Sequence, residues 1–393
     1  MKGTFPEQRE AKRAALLEAV ESLSGVFLAG ADEAEARGTL PQATVDAIYE
    51  TGLFSFKVPQ VMGGAEADPM IQLDVIEAAS RIESSAGWCL MIGAGSLANL
   101  AAFCPDEAID DLFVGGRTPK TAGVFAPSGE ATPVDGGYRV SGRWAFGSGI
   151  RHSEWVSQGA RIVGDNSDAP RQIRIVVPTV QVEIHDSWDV VGLRGTGSCD
   201  YSMTDVFVPQ RFTWAGGEAR PRRGGPNFLL GRPGMQTTGH CGFAAGVGRR
   251  ALDAVTELAL SKKRGYQGST ELVADRGAFQ RFLGESDLKL RAARAMVLET
   301  IEEAWESVCQ DITPPPPLQA RMRASSSYIT EVAADVVAQA FRFGGGSAMY
   351  NSHVLQKCLR DINAAAQHQM VSDRAYENHG QFALGFSDAN PMG

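Results

Sequence analysis

The spacing of apolar residues changes twice along the chain and divides it into three regions. From about Glu7 to Phe113 apolar residues recur every three or four positions, which predicts amphipathic helices. Between Lys120 and about Phe212, short runs rich in valine, isoleucine and aromatic residues are separated by glycine, proline and aspartate, which predicts six short strands. From Phe243 the helical spacing returns and persists to the end. The predicted order is therefore helices, strands, helices.

The two helical regions are expected to differ in how they pack. In the first, a helix is predicted over Met70–Ile82, and the segment Trp88–Phe103 is apolar enough to be a buried helix. The last region is predicted to form four long helices in an antiparallel bundle. These helices span Phe243–Leu260, Val273–Val308, Leu318–Phe343 and Asn351–Phe386.

We therefore predict an α+β fold that is mostly α, with three domains. The first is helical and covers residues 1–117, the second covers 118–225, and the third is the bundle of 226–393. Six strands with turn residues between them are typical of a small barrel or a sandwich, and the pattern leaves both open for the middle domain.

Composition limits the kinds of partner. The chain carries a net charge of -9 without a basic run, which argues against a nucleic-acid partner. Six cysteines are scattered without CxxC spacing, as expected of a reduced cytoplasmic protein. No metal-ligand spacing is seen among His152, His185, His240, His353 and His379. The charged N-terminus lacks an apolar signal core, and we expect no stretch near eighteen uncharged apolar residues. The prediction is a cytoplasmic protein without a membrane partner.

The segment Tyr138–Trp155 holds the first candidate for chemistry. Apolar residues alternate with polar or small ones up to Phe146, as in a half-buried strand that includes Trp144. Ser148 then stands between two glycines, which leave room for a planar ligand to approach the backbone. For such a tripeptide in isolation, a β-bulge or a hairpin corner is the favoured alternative.

Two glycine clusters fail the test for a dinucleotide site. Gly242, Gly246 and Gly248 have the wrong spacing and open a helix without a preceding strand, while Gly344–Gly346 follows a helix. We interpret the first cluster as close helix packing and the second as a helix C-cap turn. The chain thus shows no nicotinamide site of its own.

The third candidate lies near the C-terminus, where the pair Arg360-Asp361 interrupts an apolar helix. Three alanines, Ala364–Ala366, leave space beside that helix, and His368 and Gln369 follow. Histidine is the side chain best suited to move a proton near neutral pH. Without further context, a structural role is favoured for a histidine predicted to be helical.

Together these segments resemble the acyl-CoA dehydrogenase fold, and more narrowly its two-component flavin-dependent monooxygenase branch, whose oxygenase components hydroxylate phenols and related aromatics. The resemblance rests on the order of domains and on four motifs over nearly the whole chain. These are WAFGSG, GLRGTGSCDYSMTDVFVP at Gly192–Pro209, GGG, and RDINAAAQH.

Two departures from true dehydrogenases favour the monooxygenase branch. Val124–Val134 reads VFAPSGEATPV where dehydrogenases usually carry a TEPxxGSD-like loop. Gln369 stands where many of them place a catalytic glutamate, and an amide cannot abstract the α-proton of a thioester. Some dehydrogenases keep that base on another helix, so an acyl-CoA dehydrogenase or flavin oxidase stays as the alternative. A non-catalytic helical scaffold is a third.

The resemblance implies a division of labour. A separate NAD(P)H:flavin reductase supplies reduced flavin, FMNH2 or FADH2, which lies between the β domain and the bundle. Reaction with O2 forms a C4a-hydroperoxyflavin, whose distal oxygen passes to a phenolic or other aromatic substrate. Oxidation of an amine or a sulfur atom by the same machinery stays open.

The resemblance also implies roles for individual residues. Ser148 would hold the flavin N5 proton, Trp144 and Phe146 would wall the flavin ring, and His368 would orient or deprotonate a substrate hydroxyl. Gln369 is assigned to the cofactor.

Four further residues carry secondary assignments. Arg194 would hold its loop near the flavin, and Ser128 would face flavin or substrate, with a solvated turn as the equal alternative. Trp88 and Met91 are assigned to the substrate cavity, although core packing is the favoured alternative.

The glycines at Gly344–Gly346, with Lys262, Lys263 and Arg264, fall where dehydrogenases receive the cofactor phosphates across a subunit interface. That position implies a homotetramer.

Overall fold

The computed structural model of the chain describes residues 5–164, 171–217, 220–263 and 271–392. Within these residues eleven α-helices and seven β-strands follow the predicted order, and the fold class is confirmed. The helices are α1 (Arg9–Ser22), α2 (Ser24–Arg37), α3 (Gln42–Glu50), α4 (Pro69–Ile82), α5 (Ser84–Phe103), α6 (Asp106–Leu112), α7 (Gly231–Ser261), α8 (Gly277–Cys309), α9 (Pro316–Gly344), α10 (Val354–Ala365) and α11 (Arg374–Ala383). The strands are β1 (Thr121–Val134), β2 (Gly137–Gly147), β3 (Trp155–Ile162), β4 (Gln172–Pro178), β5 (Glu183–Ile184), β6 (Cys199–Pro209) and β7 (Thr213–Ala215).

The chain forms two compact units that cut across the three predicted domains. The sheet unit comprises the chain up to Asp68, Trp88–Val190 and Arg194–Arg232. The bundle unit comprises Pro69–Gly87, Val191–Leu193 and the chain from Pro233 onward. The domain boundaries near residues 117 and 225 stay predictions.

The strands of the sheet unit form one mixed sheet in the order β5-β6-β2-β1-β3-β4-β7. All neighbours are antiparallel except β1 and β3, which run parallel. The short strand β7 was not among the six predicted, because three residues give too little alternation to detect.

Side chains that cross this sheet show that it curls around its own interior. The Trp144 indole on β2 donates to the Gly159 carbonyl on β3, at 2.8 Å, although β1 lies between these strands. Gln158 on β3 lies 3.8 Å from the Met203 sulfur on β6, three strands away in the sheet order. Such filling of a curved sheet by inward side chains is typical of small barrels, the first of the two predicted alternatives.

Helix α5 is a buried helix, as predicted, but it corrects one expectation. It is long and apolar enough to cross a membrane, with a mean hydropathy of 1.4, so the chain does contain a long uncharged apolar stretch. Because 83% of its apolar window is buried inside the protein, core packing accounts for this composition.

The bundle unit contains α4 in addition to α7 to α11. The glycines of α7 explain how α4 packs in this unit. A Cβ atom at Gly242 or Gly246 would collide with the carbonyl oxygens of Leu73 and Glu77 on α4. The two helices therefore lie close together, and the prediction of close helix packing for this cluster is confirmed. Helix α7 begins at Gly231, earlier than the predicted Phe243.

The predicted helix Asn351–Phe386 is wrong, because the chain leaves the helical conformation between α10 and α11. His368 has an extended backbone (φ -72°, ψ 137°), and its Nδ1 atom accepts the Met370 N–H at 3.2 Å. This local side-chain bond takes the place of a helical one at Met370, after α10 has ended at Ala365. His368 is a capping residue rather than a residue within a helix.

A buried carboxylate joins the two most distinctive motifs of the chain. Asp361 is fully buried, accepts the Leu193 N–H at 2.6 Å and bonds the Ser84 hydroxyl, while the Lys357 ammonium lies 3.1 Å away. The neighbouring Arg360 donates to the Val191 carbonyl at 2.8 Å. The Arg-Asp pair thus holds the segment that begins GLRGTGS.

Replacing this carboxylate should destabilise the bundle unit strongly. We expect Asp361→Ala to lower the free energy of unfolding by about 3 to 5 kcal/mol, because it removes the buried acceptor of the Leu193 N–H and of the Ser84 hydroxyl, and it leaves the Lys357 ammonium with Glu83 in place of two carboxylates. Glu33→Ala, which removes an exposed ion pair with Arg37, is the control and should cost less than about 1 kcal/mol. Urea unfolding measures both, and equal losses would contradict the assignment of Asp361 as a structural centre.

Candidate active site

The corner at the end of β2 is a tight turn with a β-bulge. The pairing of β2 with β6 shifts register between Trp144 and Gly147, and Phe146 has a φ of +65°. Ser148 donates its N–H to the Phe146 carbonyl at 2.9 Å. Gly149, with a φ of +74°, donates to the Thr196 carbonyl at 2.9 Å. The bulge and the exposed corner are therefore the same feature.

This bulge separates two aromatic residues that a regular strand would place on one face. Trp144 is fully buried and stacks on Tyr201, with ring centroids 5.6 Å apart. Phe146 is 69% exposed and meets Trp188 edge-on at 6.2 Å. Trp144 is thus a core residue of the sheet unit, which corrects its assignment to the flavin wall. Phe146 keeps that assignment as a prediction.

Ser148 is the first member of a chain of three buried hydroxyls, which we call the hydroxyl relay. Its Oγ lies 2.7 Å from Ser198 Oγ, which in turn lies 2.7 Å from Thr196 Oγ1. The Trp88 indole Nε1 donates to Ser148 Oγ at 3.1 Å. Trp88 therefore positions Ser148, a different role from the predicted lining of a substrate cavity. Met91, on the same helix, is buried, and its role stays a prediction.

Sequence analysis missed Ser198 and Thr196, although a signal was present. Thr196 stands between two glycines in GTGS, Gly195–Ser198, as Ser148 does in GSG, and Ser198 follows the second of these glycines. Two motifs in one sheet region that combine hydroxyl residues with glycines predict a contact between the hydroxyls, because glycine permits the close backbone approach that brings them together.

His152 supports the corner from behind. Its Nδ1 atom is buried and has no hydrogen-bond partner among the described residues, and a Cβ atom at Gly149 would lie 2.8 Å from its Nε2. Burial lowers the pKa of His152 to about 4, with a smaller contribution from the charge of Lys120. The imidazole is therefore neutral at neutral pH and keeps the corner free of added charge.

In the bundle unit, His368 forms a pair with a histidine that sequence analysis missed. The His240 and His368 rings lie 4.4 Å apart at an angle of 40°. Because His368 Nδ1 accepts the Met370 N–H, its neutral form carries the proton on Nε2. His240 was missed because it lies in the first turns of α7, which begin before the predicted start of that helix.

A buried arginine fixes the segment after His368. Arg323 is 3% exposed and donates from Nη2 to the Gln369 carbonyl at 2.8 Å and from Nη1 to the Met392 carbonyl at 2.8 Å. Gln369 itself is exposed, and its assignment to the cofactor stays a prediction.

Comparison with known proteins places these features in a family. Residues 10–111 match the N-terminal domain and residues 238–373 the C-terminal domain of acyl-CoA dehydrogenases. The chain is 34% identical to indole-3-acetate monooxygenase of Pseudomonas putida over 345 residues, which cover 87% of this chain and 86% of that protein. The chain belongs to the flavin-dependent monooxygenases with the acyl-CoA dehydrogenase fold.

Other relatives of this monooxygenase agree. It is 27% identical to the oxygenase subunit HsaA of a flavin-dependent monooxygenase from Rhodococcus jostii, over 91% of this chain and 96% of that protein. Its fold matches XiaF from Streptomyces, solved in complex with FADH2 and glycerol, with a TM-score of 0.87 and 28% identity over 95% of this chain and 96% of that one. The predicted family and the prediction of a reduced-flavin-dependent oxygenase component are confirmed.

The corner of this monooxygenase fits a flavin ring. A flavin presents a flat apolar surface with polar atoms at its edge, and the corner offers the exposed Phe146 ring next to the buried Ser148 hydroxyl. Gly149 keeps the position beside Ser148 free of a side chain, since its φ of +74° disfavours other residues. Phe146 and Ser148 are therefore the residues that would hold the ring.

The predicted phosphate-binding segment of the monooxygenase is a helix cap in this structure. Gly345, with a φ of +56°, ends α9, and the prediction of a C-cap turn is confirmed. The Lys262 ammonium donates to the Gly344 carbonyl at 2.6 Å and to Ser347 Oγ at 2.9 Å. Arg264 lies outside the described residues. A role of Gly344–Gly346 in cofactor binding stays a prediction.

The structure describes both Arg194 and Ser128, the two remaining candidates near the flavin. Arg194 donates to the Val190 carbonyl at 2.9 Å and lies 3.5 Å from the Glu35 carbonyl, so it does hold its loop. Its contact with the cofactor stays a prediction. Ser128 is exposed and lies within β1, at the irregular stretch between Val124 and Gly129. This stretch of strand takes the place of the predicted loop.

The lowered pKa of His152 predicts a pH dependence of stability. Between pH 6.5, its ordinary pKa, and about 4, the unfolded chain binds a proton that the folded chain does not. The free energy of unfolding should therefore fall as pH drops through this range, by up to about 3 kcal/mol from this residue. Urea unfolding at a series of pH values measures the effect.

The variant His152→Gln isolates this contribution from that of the carboxylates. We expect its stability to fall less between pH 6.5 and 4 than that of the unsubstituted protein. Equal slopes for the two proteins would show that the His152 imidazole is not held neutral by its surroundings in the folded protein.

Proposed function

We propose that this monooxygenase hydroxylates a small aromatic compound of the indole or phenol type, using FADH2 and O2. The observation that carries the proposal is the buried hydroxyl of Ser148 beside the exposed ring of Phe146. The names of relatives support the substrate class, since they include indole-3-acetate monooxygenase and an FADH2-dependent resorcinol hydroxylase from Rhizobium. The FADH2 bound to XiaF supports FAD over FMN.

Bound reduced flavin supplies the two electrons that activate O2. We assign Ser148 Oγ to the flavin N5 position, where it would hold the N5 proton in place. Trp88 fixes the serine by its hydrogen bond, and Phe146 would cover the flavin ring and exclude water from it. Water exclusion would matter because a bound reduced flavin that lost its N5 proton would yield hydrogen peroxide instead of product.

The histidine pair is assigned to the substrate. With its proton on Nε2, neutral His368 is a hydrogen-bond donor, so it would orient a substrate hydroxyl or carbonyl rather than remove a proton from it. Of the two predicted roles, the geometry favours orientation. His240, 5% exposed, would limit the rotation of the His368 ring.

The partners follow from the same proposal. The naming of relatives as oxygenase components supports a separate NAD(P)H:flavin reductase.

A cytoplasmic homotetramer is proposed by analogy with dehydrogenases, and the bundle unit exposes several large apolar side chains that a subunit interface would cover. These include Leu260, Leu288, Met349, Tyr350 and Leu384. Light scattering after size exclusion measures the assembly, and a monomer at micromolar concentration would refute it.

A dehydrogenase activity is the alternative that requires a base. The residue at the expected position is Gln369, whose amide cannot serve, and this favours the monooxygenase. Oxidation of an amine or a sulfur atom is tested in the same assay as hydroxylation.

The decisive assay combines the protein, a flavin reductase, NADH, O2 and a panel of indoles, phenols, amines and thioethers. We expect hydroxylated products from the indoles or phenols only when all components are present. Anaerobic bleaching of bound oxidised flavin by an acyl-CoA would instead identify a dehydrogenase. Failure to bind flavin in either redox state would favour a non-catalytic scaffold.

Ser148→Ala tests the assignment at flavin N5. We expect peroxide released per product to rise about fivefold, since a hydrogen bond worth about 1 kcal/mol is lost. Ser96→Ala is the matched control, because Ser96 is 3% exposed and its hydroxyl has no hydrogen-bond partner among the described residues. An unchanged peroxide ratio in Ser148→Ala would remove Ser148 from this role.

His368→Asn tests the histidine without losing the cap, because the asparagine carbonyl can accept the Met370 N–H. We expect product formation to fall at least tenfold while flavin binding is retained. His353→Asn is the matched control, since His353 Nδ1 caps α10 through the Leu355 N–H at the same distance, 3.2 Å. Equal rates in both variants would exclude His368 from the reaction.

A further inference from the structure

We propose that the hydroxyl relay reverses its direction with the redox state of the flavin, so that Ser148 can pair with N5 in both states. The proposal rests on the assignment of Ser148 to N5 made above. It adds Ser198 and Thr196 as positioning residues, which act on the flavin only through Ser148.

The geometry of the relay allows two directions. The Trp88 indole N–H is only a donor, so Ser148 Oγ accepts from it in either case. Each of the two hydroxyl contacts, at 2.7 Å, has one proton that either oxygen can donate. In the inward direction Ser148 donates to Ser198 and Ser198 donates to Thr196. In the outward direction the order of donors is reversed.

The two directions present different atoms to a ligand. When the relay runs inward, the Ser148 proton is used and its oxygen offers a lone pair. When it runs outward, Ser198 donates to Ser148, and the Ser148 proton is free for a ligand acceptor. Ser148 is thus an acceptor in the first case and a donor in the second.

These two states match the two redox states of the cofactor. N5 of reduced flavin carries a proton and is a donor, whereas N5 of oxidised flavin has a lone pair and is an acceptor. Burial makes the match important, because the relay residues are each at most 6% exposed and a buried polar atom without a partner is costly. Reversal requires each hydroxyl proton to rotate about its own C–O bond, so no covalent O–H bond breaks and no charge forms.

Removing the second hydroxyl should favour one redox state. In Ser198→Ala, the Ser148 proton loses its acceptor in the relay and is directed to the ligand, where it opposes the N5 proton of reduced flavin. We expect the Kd of reduced FAD to rise about fivefold, the usual size of one lost hydrogen bond, and that of oxidised FAD to stay the same or fall. The ratio of the two constants is the readout, and it requires no turnover.

The constants are measured by anaerobic titration of the full chain with dithionite-reduced FAD and by aerobic titration with oxidised FAD. Ser96→Ala is again the matched control and should leave the ratio unchanged. A second pair covers the case in which Ser198→Ala does not fold. Thr196→Val removes the hydroxyl and keeps the shape, whereas Thr196→Ser keeps the hydroxyl, so only the valine should shift the ratio.

The outcomes separate this proposal from the one on which it rests. A shift of the ratio against reduced FAD in Ser198→Ala or Thr196→Val supports the relay. If Ser148→Ala changes the two constants but neither relay variant changes their ratio, the relay is refuted and Ser148 keeps its role. If Ser148→Ala changes neither constant, Ser148 does not face N5 and both proposals fall.

Discussion

The loop that leads into the site depends on a buried carboxylate, which accepts a peptide N–H from that loop and also bonds a serine hydroxyl and an ammonium. Asp361 accepts from Leu193, 168 residues away in the chain, and the Lys357 ammonium offsets its charge. Leu193 has a φ of +54°, a conformation that costs energy in a residue with a side chain. The bond to Asp361 holds that conformation, and the chain then continues directly into Arg194 and the relay residues Thr196 and Ser198. The Arg-Asp motif and GLRGTGS are therefore two halves of one structural device.

A second unusual backbone conformation produces the exposed edge of the site. Phe146 has a φ of +65°, and the bulge in which it lies turns its ring outward while Trp144 remains in the core. A regular strand would bury both residues or expose both. Non-glycine residues with positive φ are uncommon. Phe146 in the corner and Leu193 in GLRGTGS are two such residues, and both lie in motifs that the sequence analysis singled out.

The elements of the fold could be predicted from the sequence because their periodicity is local. The helical spacing of residues 70–82 and the alternation that ends at Phe146 each reflect burial of one face. The break between α10 and α11 was not predicted, because α10 ends at Ala365 within a continuous helical pattern, and the His368 ring that accepts the Met370 N–H caps the turn that follows. The outward turn of Phe146 depends on a register shift against β6, which no local pattern encodes.

The candidate site divides in the same way. Ser148 was found because glycines flank it, but its partners are Ser198, just before β6, and Trp88 on α5; both are far away in sequence, and only tertiary structure brings them together. His240 was missed because the predicted start of α7 was too late. Helix propensity gives no sharp start for this helix, since its first turns contain glycines and threonines. The sequence therefore revealed residues whose role depends on neighbours in the chain, and it did not reveal residues whose role depends on partners far away in the chain.

The chemistry available at this corner is one of hydrogen-bond direction rather than charge. Ser148, Ser198, Thr196 and Trp88 are all neutral, and the adjacent His152 is kept neutral by burial, which lowers its pKa. A fixed charge in so dry a place would be expensive and would favour one redox state of a ligand permanently. Neutral hydroxyls avoid both effects, because each can exchange the roles of donor and acceptor without any change in net charge. A corner built from them can therefore pair with a ligand atom before and after that atom loses its proton.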